Sequence, residues 1–243
     1  MKRRLATSFI AAPLALSLAA AACSAPPPPP IEDASTDAPE PTRKRVVPTI
    51  ESEVGALDMK QVSAVFESAG ESLKECYARG VGRVAFLAGE IRLAVRVGED
   101  GAAKYAFVKD STIGDRATEA CMLAVLKKRT WPKPQGGKEG NAETPFAFDP
   151  GDEERPPVEW AEGRLGDAYN KSKAALGRCR TSAGAGPMKA TLYVDTEGKA
   201  LAVGVSGSDS KSEDAAPCVV DLLMGLKFAS PGSYAAKVTV AIE

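Results

Sequence analysis

The sequence predicts an α+β protein with two small tandem domains, each formed by two helices packed on a three-stranded antiparallel sheet in the order helix, strand, strand, helix, strand. The main observation is an internal repeat, because Gly101 and Gly198 lie 97 residues apart (198 − 101) and later landmarks keep that offset. The landmark pairs are Ser111 and Ser208, Cys121 and Cys218, Trp131 and Phe228, and Pro134 and Pro231. Hydrophobic alternation on both sides of each glycine, typical of β-hairpins, is the second observation.

The N-terminus has the pattern of a secretion signal. A basic cluster, residues 2–4, precedes an apolar stretch, residues 5–19, that is shorter than a membrane-spanning helix requires. Three alanines then lead into Cys23, which resembles the lipobox of bacterial lipoproteins. Residues 1–22 are therefore predicted to be a signal peptide and Cys23 the lipidated N-terminus, with Ser24 favouring the outer membrane. The alternative is ordinary signal cleavage, which would leave Cys23 as a thiol.

The domains are predicted to follow a disordered tether, residues 23–50. The five prolines of residues 26–30 favour polyproline II, and the polar residues that follow offer few apolar side chains for a core. The two predicted domains occupy residues 55–149 and 159–243. An acidic, proline-bearing linker, residues 150–158, joins them.

The charge of the chain argues against nucleic acid as a partner. The full chain has 31 Lys and Arg against 32 Asp and Glu, and loss of the predicted signal peptide removes three basic side chains. The mature protein would be net acidic, so it has no surplus of cations to displace phosphate counterions.

In the first domain, Asp58 and Gln61 have the spacing of a capping box at the start of a helix. The helical stripe that follows ends near a cysteine: Val62, Val65, Phe66, Ala69, Leu73, Cys76 and Tyr77. A hairpin with its turn at residues 98–101 is predicted from the alternating positions Ile91, Leu93, Val95, Val97, Ala103, Tyr105 and Phe107. A second helix is predicted to bury Ala117, Ala120, Cys121, Ala124 and Val125. Residues 144–148 form the predicted closing strand.

The second domain repeats this order. Its first helical stripe is Leu165, Ala168, Tyr169, Ser172, Leu176 and Cys179. Its hairpin has a turn at residues 195–198 between Ala190, Leu192 and Val194 on one strand and Leu201, Val203 and Val205 on the other. A helix over residues 218–226 and a final strand at Val238, Val240 and Ile242 complete it.

Four cysteines remain after Cys23 is set aside, and in an exported protein they favour disulfides. Three pairings are possible, of which Cys76 with Cys121 and Cys179 with Cys218 keeps each bond within one copy of the repeat. Zinc is the alternative, but zinc sites usually have short ligand spacings and histidine ligands, and the chain contains no histidine.

A series of landmarks in the first domain resembles one domain family. They are Cys76-Tyr77, Gly89-Glu90-Ile91, Asp100-Gly101, Asp110-Ser111-Thr112, Glu119-Ala120-Cys121, Trp131-Pro132-Lys133-Pro134 and Pro145-Phe146-Ala147-Phe148. The series resembles the AgmX/PglI C-terminal domain, a TonB C-terminal-like module of myxobacterial envelope and gliding-motility proteins. The resemblance implies a non-catalytic α+β fold that acts through protein contacts in the envelope. It covers residues 57–149. In the second domain the resemblance is limited to Gly198, Ser208, Cys218, Phe228 and Pro231.

The candidate catalytic groups have structural interpretations. Without histidine, general-base chemistry would fall to carboxylates, lysine or an activated cysteine. Most acidic residues lie in predicted turns or the linker, namely Glu99, Asp100, Asp195, Glu197 and residues 152–154. Ser111 and Ser208 each occur where a strand gives way to a helix, which favours a capping or turn role. Trp131 is expected to be buried in the core rather than exposed as a recognition patch.

The sequence therefore predicts a non-catalytic, lipid-anchored envelope protein that acts as an interaction or adaptor module, with neither cofactor nor metal. Unidentified envelope proteins are the expected partners, through strand addition at an open sheet edge, with the outward Arg92 and Arg96 beside it. The alternative is a structural or peptidoglycan-associated outer-membrane lipoprotein. A hydrolase that uses carboxylates is the third, least favoured reading.

Overall fold

The computed structural model describes residues 54–151 and 154–243, which fall within one compact unit. In these residues the protein is a mixed α+β structure with four α-helices and two β-sheets. The first half contains α1 (Met59–Val81), β1 (Gly89–Gly98), β2 (Ala103–Ser111), α2 (Arg116–Lys127) and β3 (Glu139–Phe148). The second half contains β4 (Val158–Glu159), a 3₁₀ turn (Glu162–Leu165), α3 (Asp167–Ser182), β5 (Met188–Val194), β6 (Ala200–Gly207), α4 (Ser212–Met224) and β7 (Ala236–Ile242). The predicted signal peptide, Cys23 and the predicted tether lie outside the described residues.

The first helix begins where its capping residues predict. The Asp58 carboxylate accepts hydrogen bonds from the backbone N–H of Lys60 at 2.9 Å and of Gln61 at 3.2 Å. The Gln61 side-chain amide also donates to Asp58, at 3.2 Å. Two of the N–H groups at the start of the helix, which have no partner within it, are thereby satisfied.

The two hairpins have the same register. Val95 lies opposite Ala106 in the first hairpin, and Leu192 lies opposite Val203 in the second, at the positions 97 residues later. Both turns use a glycine with positive φ, +83° at Gly101 and +82° at Gly198. A Cβ at Gly101 would lie 2.5 Å from the Trp131 carbonyl oxygen, so the turn requires glycine for space as well as for its φ angle.

The second sheet has one strand more than the sequence predicts. The first sheet is antiparallel in the order β2-β1-β3, whereas the second is mixed in the order β4-β7-β5-β6. The extra strand β4 runs parallel to β7, and it begins at the end of the predicted linker. The Val158 N–H donates to the Ala235 carbonyl at 2.9 Å, and buried Trp160 holds the segment against the core.

The core-facing side of α2 also differs from the prediction. Ala117, Ala120 and Ala124 are exposed, and Cys121 and Val125 are only partly buried. The buried positions of α2 are Thr118, Glu119, Met122, Leu123 and Leu126. The larger side chains remove more apolar surface from water than alanine does, so they determine which face turns inward.

Trp131 closes the first core, as the sequence predicts. Its side chain is 3% exposed, and its ring meets the Phe66 ring edge-on at a centroid distance of 5.0 Å. The indole N–H donates to the Leu126 carbonyl at 3.3 Å. Phe228 is the corresponding buried residue of the second half.

Candidate interaction surface

In each half, one disulfide joins the two helices, α1 to α2 in the first half and α3 to α4 in the second. The structure joins Cys76 to Cys121, with Cα atoms 5.7 Å apart, and Cys179 to Cys218, with Cα atoms 5.6 Å apart. This is the pairing within halves that the sequence favours. The bridges fix the helices on one face of each sheet, which leaves the opposite face and the strand edges as the possible contact surfaces.

The edge strands β2 and β6 face each other, and a side chain from the opposite half binds a backbone N–H group of each. The Val108 N–H of β2 donates to the Glu213 carboxylate of α4 at 3.0 Å. The Val205 N–H of β6 donates to the Glu119 carboxylate of α2 at 2.9 Å. Val108 and Val205 are equivalent positions of the repeat. In each half, therefore, the same backbone N–H group of the edge strand is bound by a carboxylate of the other half. We call these edges the inner edges.

The sequence does not predict that Glu119 and Glu213 lie at this interface. Glu119 is completely buried, and its carboxylate accepts a second hydrogen bond from the Ser111 hydroxyl at 2.8 Å. Burial raises the pKa of Glu119 to about 7, although the hydrogen bonds from Val205 and Ser111 act in the opposite direction. A signal exists in the sequence, because Glu119 shares a helical face with Met122, Leu123 and Leu126.

Glu213 is held differently from Glu119. Its carboxylate forms an ion pair with Arg116 of α2 at 2.6 Å, and both side chains retain some exposure, 16% for Glu213 and 22% for Arg116. The two carboxylates of the interface therefore differ in their surroundings, since Glu213 has a cationic partner and Glu119 has only neutral donors.

Glycines allow the halves to approach closely at this interface. A Cβ at Gly204 of β6 would collide with the Glu119 carboxylate and would lie 2.8 Å from the Cα of Gly114. Gly114 itself has a φ of +73°, and a Cβ there would lie 2.9 Å from the Tyr193 ring. At Gly204 the clash includes backbone atoms of Gly114 and Asp115, at 2.8 and 2.9 Å, so moving a side chain cannot by itself make room.

We predict that Gly204→Ala lowers the free energy of unfolding by about 2 kcal/mol, because the methyl group overpacks this interface. Urea unfolding followed by circular dichroism measures the change. The matched control is Gly70→Ala in α1, where a Cβ would meet nothing within 4 Å. That control should be stabilising by about 0.5–1 kcal/mol through helix propensity. Equal unfolding midpoints for Gly204→Ala and the unchanged protein would contradict the close contact.

The outer face of the second sheet, away from its helices, is covered by the first half. Tyr193 on this face is fully buried, and its hydroxyl donates to the Ala88 carbonyl at 3.0 Å. The Lys237 ammonium donates to the same carbonyl at 2.8 Å. Thr191 and Ala202 are buried on the same face. This face is therefore part of the interface and is closed to a partner.

The outer face of the first sheet is open by comparison. Tyr105 is 39% exposed, whereas its equivalent in the repeat, Ala202, is buried. Tyr105 and Phe107 stand side by side on β2 and line a groove of about 280 Å³ together with Arg96 and the loop 208–210. We call this surface the open face.

Paired charges cover the rest of the open face. Glu143 contacts Lys109 at 2.5 Å and Arg92 at 3.5 Å. Glu139 contacts both Arg96 and Lys104, and these hydrogen bonds lower the pKa of Glu139. Arg96 also donates to Asn141 at 2.6 Å. Arg92 and Arg96 therefore lie where the sequence predicts, on the outward side of β1, and they bind carboxylates of β3.

The edge of β3 borders the open face. Pro145 lies opposite Arg92 in the sheet, and proline, which has no N–H, is confined to edge strands and similar positions. On its outer side β3 accepts a hydrogen bond from the Gly55 N–H at the Glu139 carbonyl, at 2.7 Å. In the described part of the chain, no strand pairs with this side of β3 beyond that point. Backbone groups of Asn141, Glu143 and Ala147 point to the same side as that of Glu139.

The remaining candidate residues have local structural roles. The Ser111 hydroxyl accepts the Ile113 N–H at 3.1 Å, which forms a turn, while Asp115 provides the cap of α2. The Ser208 N–H donates to the Pro187 carbonyl at 3.0 Å. Asp100 accepts the Ala102 N–H at 2.9 Å in the first hairpin turn. In the second turn the Asp195 side chain accepts two N–H groups, from residues 197 and 199.

Within the described ranges, no group of three or more Cys, Asp or Glu side chains is arranged to hold a metal ion. No helix there has both the length and the apolar character needed to cross a membrane. Comparisons with protein-family models, with curated proteins and with solved structures found no match for the chain.

Proposed function

We propose that this protein is a non-catalytic, lipid-anchored module of a bacterial cell envelope that binds other envelope proteins, and that its halves are tandem TonB C-terminal-like domains. Both halves have the order helix, strand, strand, helix, strand, and the equal register of their hairpins supports a duplication. Two disulfides are typical of an oxidising compartment, which supports export by the signal at residues 1–22. Lipidation of Cys23 would then place the protein at the outer membrane, facing the periplasm.

The observation that carries the proposal is the unequal use of the two outer sheet faces. The outer face of the second sheet forms part of the interface between the halves, where Tyr193 and Thr191 are buried. The open face of the first sheet keeps two aromatic side chains, a groove and an unpaired strand edge together. Aromatic and arginine side chains are the residues most often responsible for binding energy in protein interfaces. The first half therefore presents a surface to a partner, and the second half supports it.

A short extended segment of a partner protein fits the edge of β3 better than a long strand, which would need an uninterrupted row of backbone hydrogen bonds. The backbone groups of Asn141 and Glu143 can pair with such a segment, but Pro145 interrupts the row of N–H donors. The inner edges of β2 and β6 are occupied by Glu213 and Glu119, so they do not compete. Tyr105 and Phe107 lie on β2, on the far side of β1 from this edge, so a partner would reach them with a part of its chain that crosses the open face.

Photo-crosslinking in intact cells tests the proposal. A photoreactive phenylalanine derivative replaces Tyr105 on the open face, and the matched control carries it at Lys171 on the exposed side of α3. We expect a discrete crosslinked protein from position 105 and several-fold less from position 171. Both variants should be exported and oxidised equally, which non-reducing electrophoresis verifies.

Two outcomes would overturn the proposal. Equal crosslinking from both positions would show that the open face is not a specific contact surface. Recovery of muropeptides from position 105 without a protein partner would favour the peptidoglycan-associated alternative instead.

A further inference from the structure

The interface between the halves contains an unusual electrostatic arrangement. Glu119 of the first half accepts the Val205 N–H of the second half, and Glu213 of the second half accepts the Val108 N–H of the first half. The two valines are equivalent positions of the repeat. Glu213 has the Arg116 guanidinium beside it, at 2.6 Å. Glu119 is fully buried, and its direct hydrogen-bond partners are the neutral Ser111 hydroxyl and Val205 N–H. An ionised carboxylate without a cationic partner is costly in such a place.

We propose that the interface between the two halves is a proton-controlled clasp, closed when Glu119 carries a proton and loosened when the Glu119 carboxylate is ionised. In the closed form the neutral carboxyl group still accepts the Val205 N–H through one oxygen. The other oxygen carries the proton and donates to the Ser111 hydroxyl, which reverses the direction of that hydrogen bond. No hydrogen bond across the interface is lost on protonation, and the burial of a charge is avoided.

The charged groups around Glu119 compensate its ionisation only in part, because the Arg116 charge lowers the pKa of Glu119 while Glu213, the ion-pair partner of Arg116, raises it. On α2 itself, Asp115 pairs with Arg83, which follows α1, and Arg116 pairs with Glu213 of α4. On β2, Lys109 pairs with Glu143 of β3, and Asp110 pairs with Lys189 of β5. Strand β6, which packs on Glu119, has no ionisable side chain, and Tyr193 of β5 is hydrogen-bonded to Ala88. Each cation near Glu119 thus has another carboxylate as its closest partner.

The direction of the pH effect follows from the raised pKa of Glu119, about 7 in the folded protein against an ordinary value of 4.5. The stabilisation of the closed form is complete below pH 4.5 and is lost as the pH rises through 7. The equilibrium between closed and loosened forms should therefore change by on the order of 100-fold between the acid and alkaline limits.

Hydrogen exchange of the purified full-length protein tests the clasp. We expect the protection factors of the Val108 and Val205 amides, corrected for intrinsic exchange, to fall as the pH rises from 5.5 to 8.5. The amide of Leu192 in the centre of the second sheet serves as the internal reference and should keep its protection. In Glu119→Gln, which retains an acceptor for Val205 but cannot ionise, both inner-edge amides should stay protected across the range. The matched control, Glu143→Gln on the open face, should keep the pH dependence of the unchanged protein.

The proposal is wrong if Glu119→Gln shows the same pH dependence as the unchanged protein. It is also wrong if the inner-edge amides of the unchanged protein are equally protected at both ends of the range. A direct NMR titration of the Glu119 carboxyl carbon decides the matter even if the variant does not fold. A midpoint near 7 supports the clasp, and a midpoint near 4.5 overturns it.

Discussion

Replacing Cys76 and Cys121 together by alanine is expected to lower the free energy of unfolding by about 4 kcal/mol. The bridge closes a loop with a sequence separation of 45 residues, so its loss restores much conformational freedom to the unfolded chain. Folded proteins are typically stable by about 5–15 kcal/mol, so the loss would be a large share of the total stability. Urea unfolding of the double variant against the unchanged oxidised protein measures the effect.

The second disulfide provides the matched comparison. Its sequence separation is 39 residues, so removal of Cys179 and Cys218 should cost nearly the same amount. The two bridges differ in access, because Cys218 is exposed whereas Cys121 is partly buried. We expect a mild reductant to open the Cys179–Cys218 bridge first, which thiol labelling and peptide mapping would show. Unfolding midpoints that do not change in either double variant would contradict a stabilising role for the bridges.

Trp131→Ala is expected to have a similarly large effect, about 4 kcal/mol of lost stability, since the substitution leaves a cavity in a packed core. The ring is 3% exposed and contacts Phe66 at a centroid distance of 5.0 Å. Thermal and urea unfolding measure the loss. Trp131 packs against Phe66 of α1, on the helix side of the first sheet, so the binding that we propose for the open face should weaken only because less of the protein is folded.

Trp131→Phe separates the bulk of the ring from its hydrogen bond. The equivalent residue of the second half is Phe228, which is buried at 4% exposure. The indole hydrogen bond to Leu126 is long, at 3.3 Å, so its loss should cost little. We expect the phenylalanine variant to lose less than half of what the alanine variant loses. Equal losses in both variants would show that the hydrogen bond, and not the bulk, holds the position.

The occupied strand edges explain why the contact surface that we propose is smaller than the one the sequence predicts. Alternation identifies β2 and β6 as strands but does not show what lies beside them, because backbone hydrogen-bonding groups are the same in every residue. In the structure, Glu119 and Glu213 occupy the inner edges. In the described residues, the edge of β3 beyond Glu139 pairs with no other strand, and it borders the open face that carries Tyr105.

The sequence alone determined several features, because each depends on neighbouring residues or on a single side chain. Asp58 caps the first helix because the N–H groups of Lys60 and Gln61 are two and three residues away from its carboxylate. Gly101 and Gly198 form the hairpin turns because only glycine adopts their φ angles without strain. The burial of Trp131 follows from the size of its apolar ring. Each of these depends on residues close together in the chain or on one side chain.

Tertiary structure alone decided which sheet face stays open and which polar groups are buried between the halves. Tyr105 and Ala202 are equivalent positions of the repeat, yet Tyr105 is 39% exposed and Ala202 is buried. Glu119 could enter the core only because Ser111 and Val205, the latter 86 residues away, supply hydrogen-bond donors. Strand β4 likewise forms because the carbonyl groups of Ala235 and Lys237 accept hydrogen bonds from Val158 and Trp160. Such partners are brought together by the fold, and so no local pattern in the sequence records them.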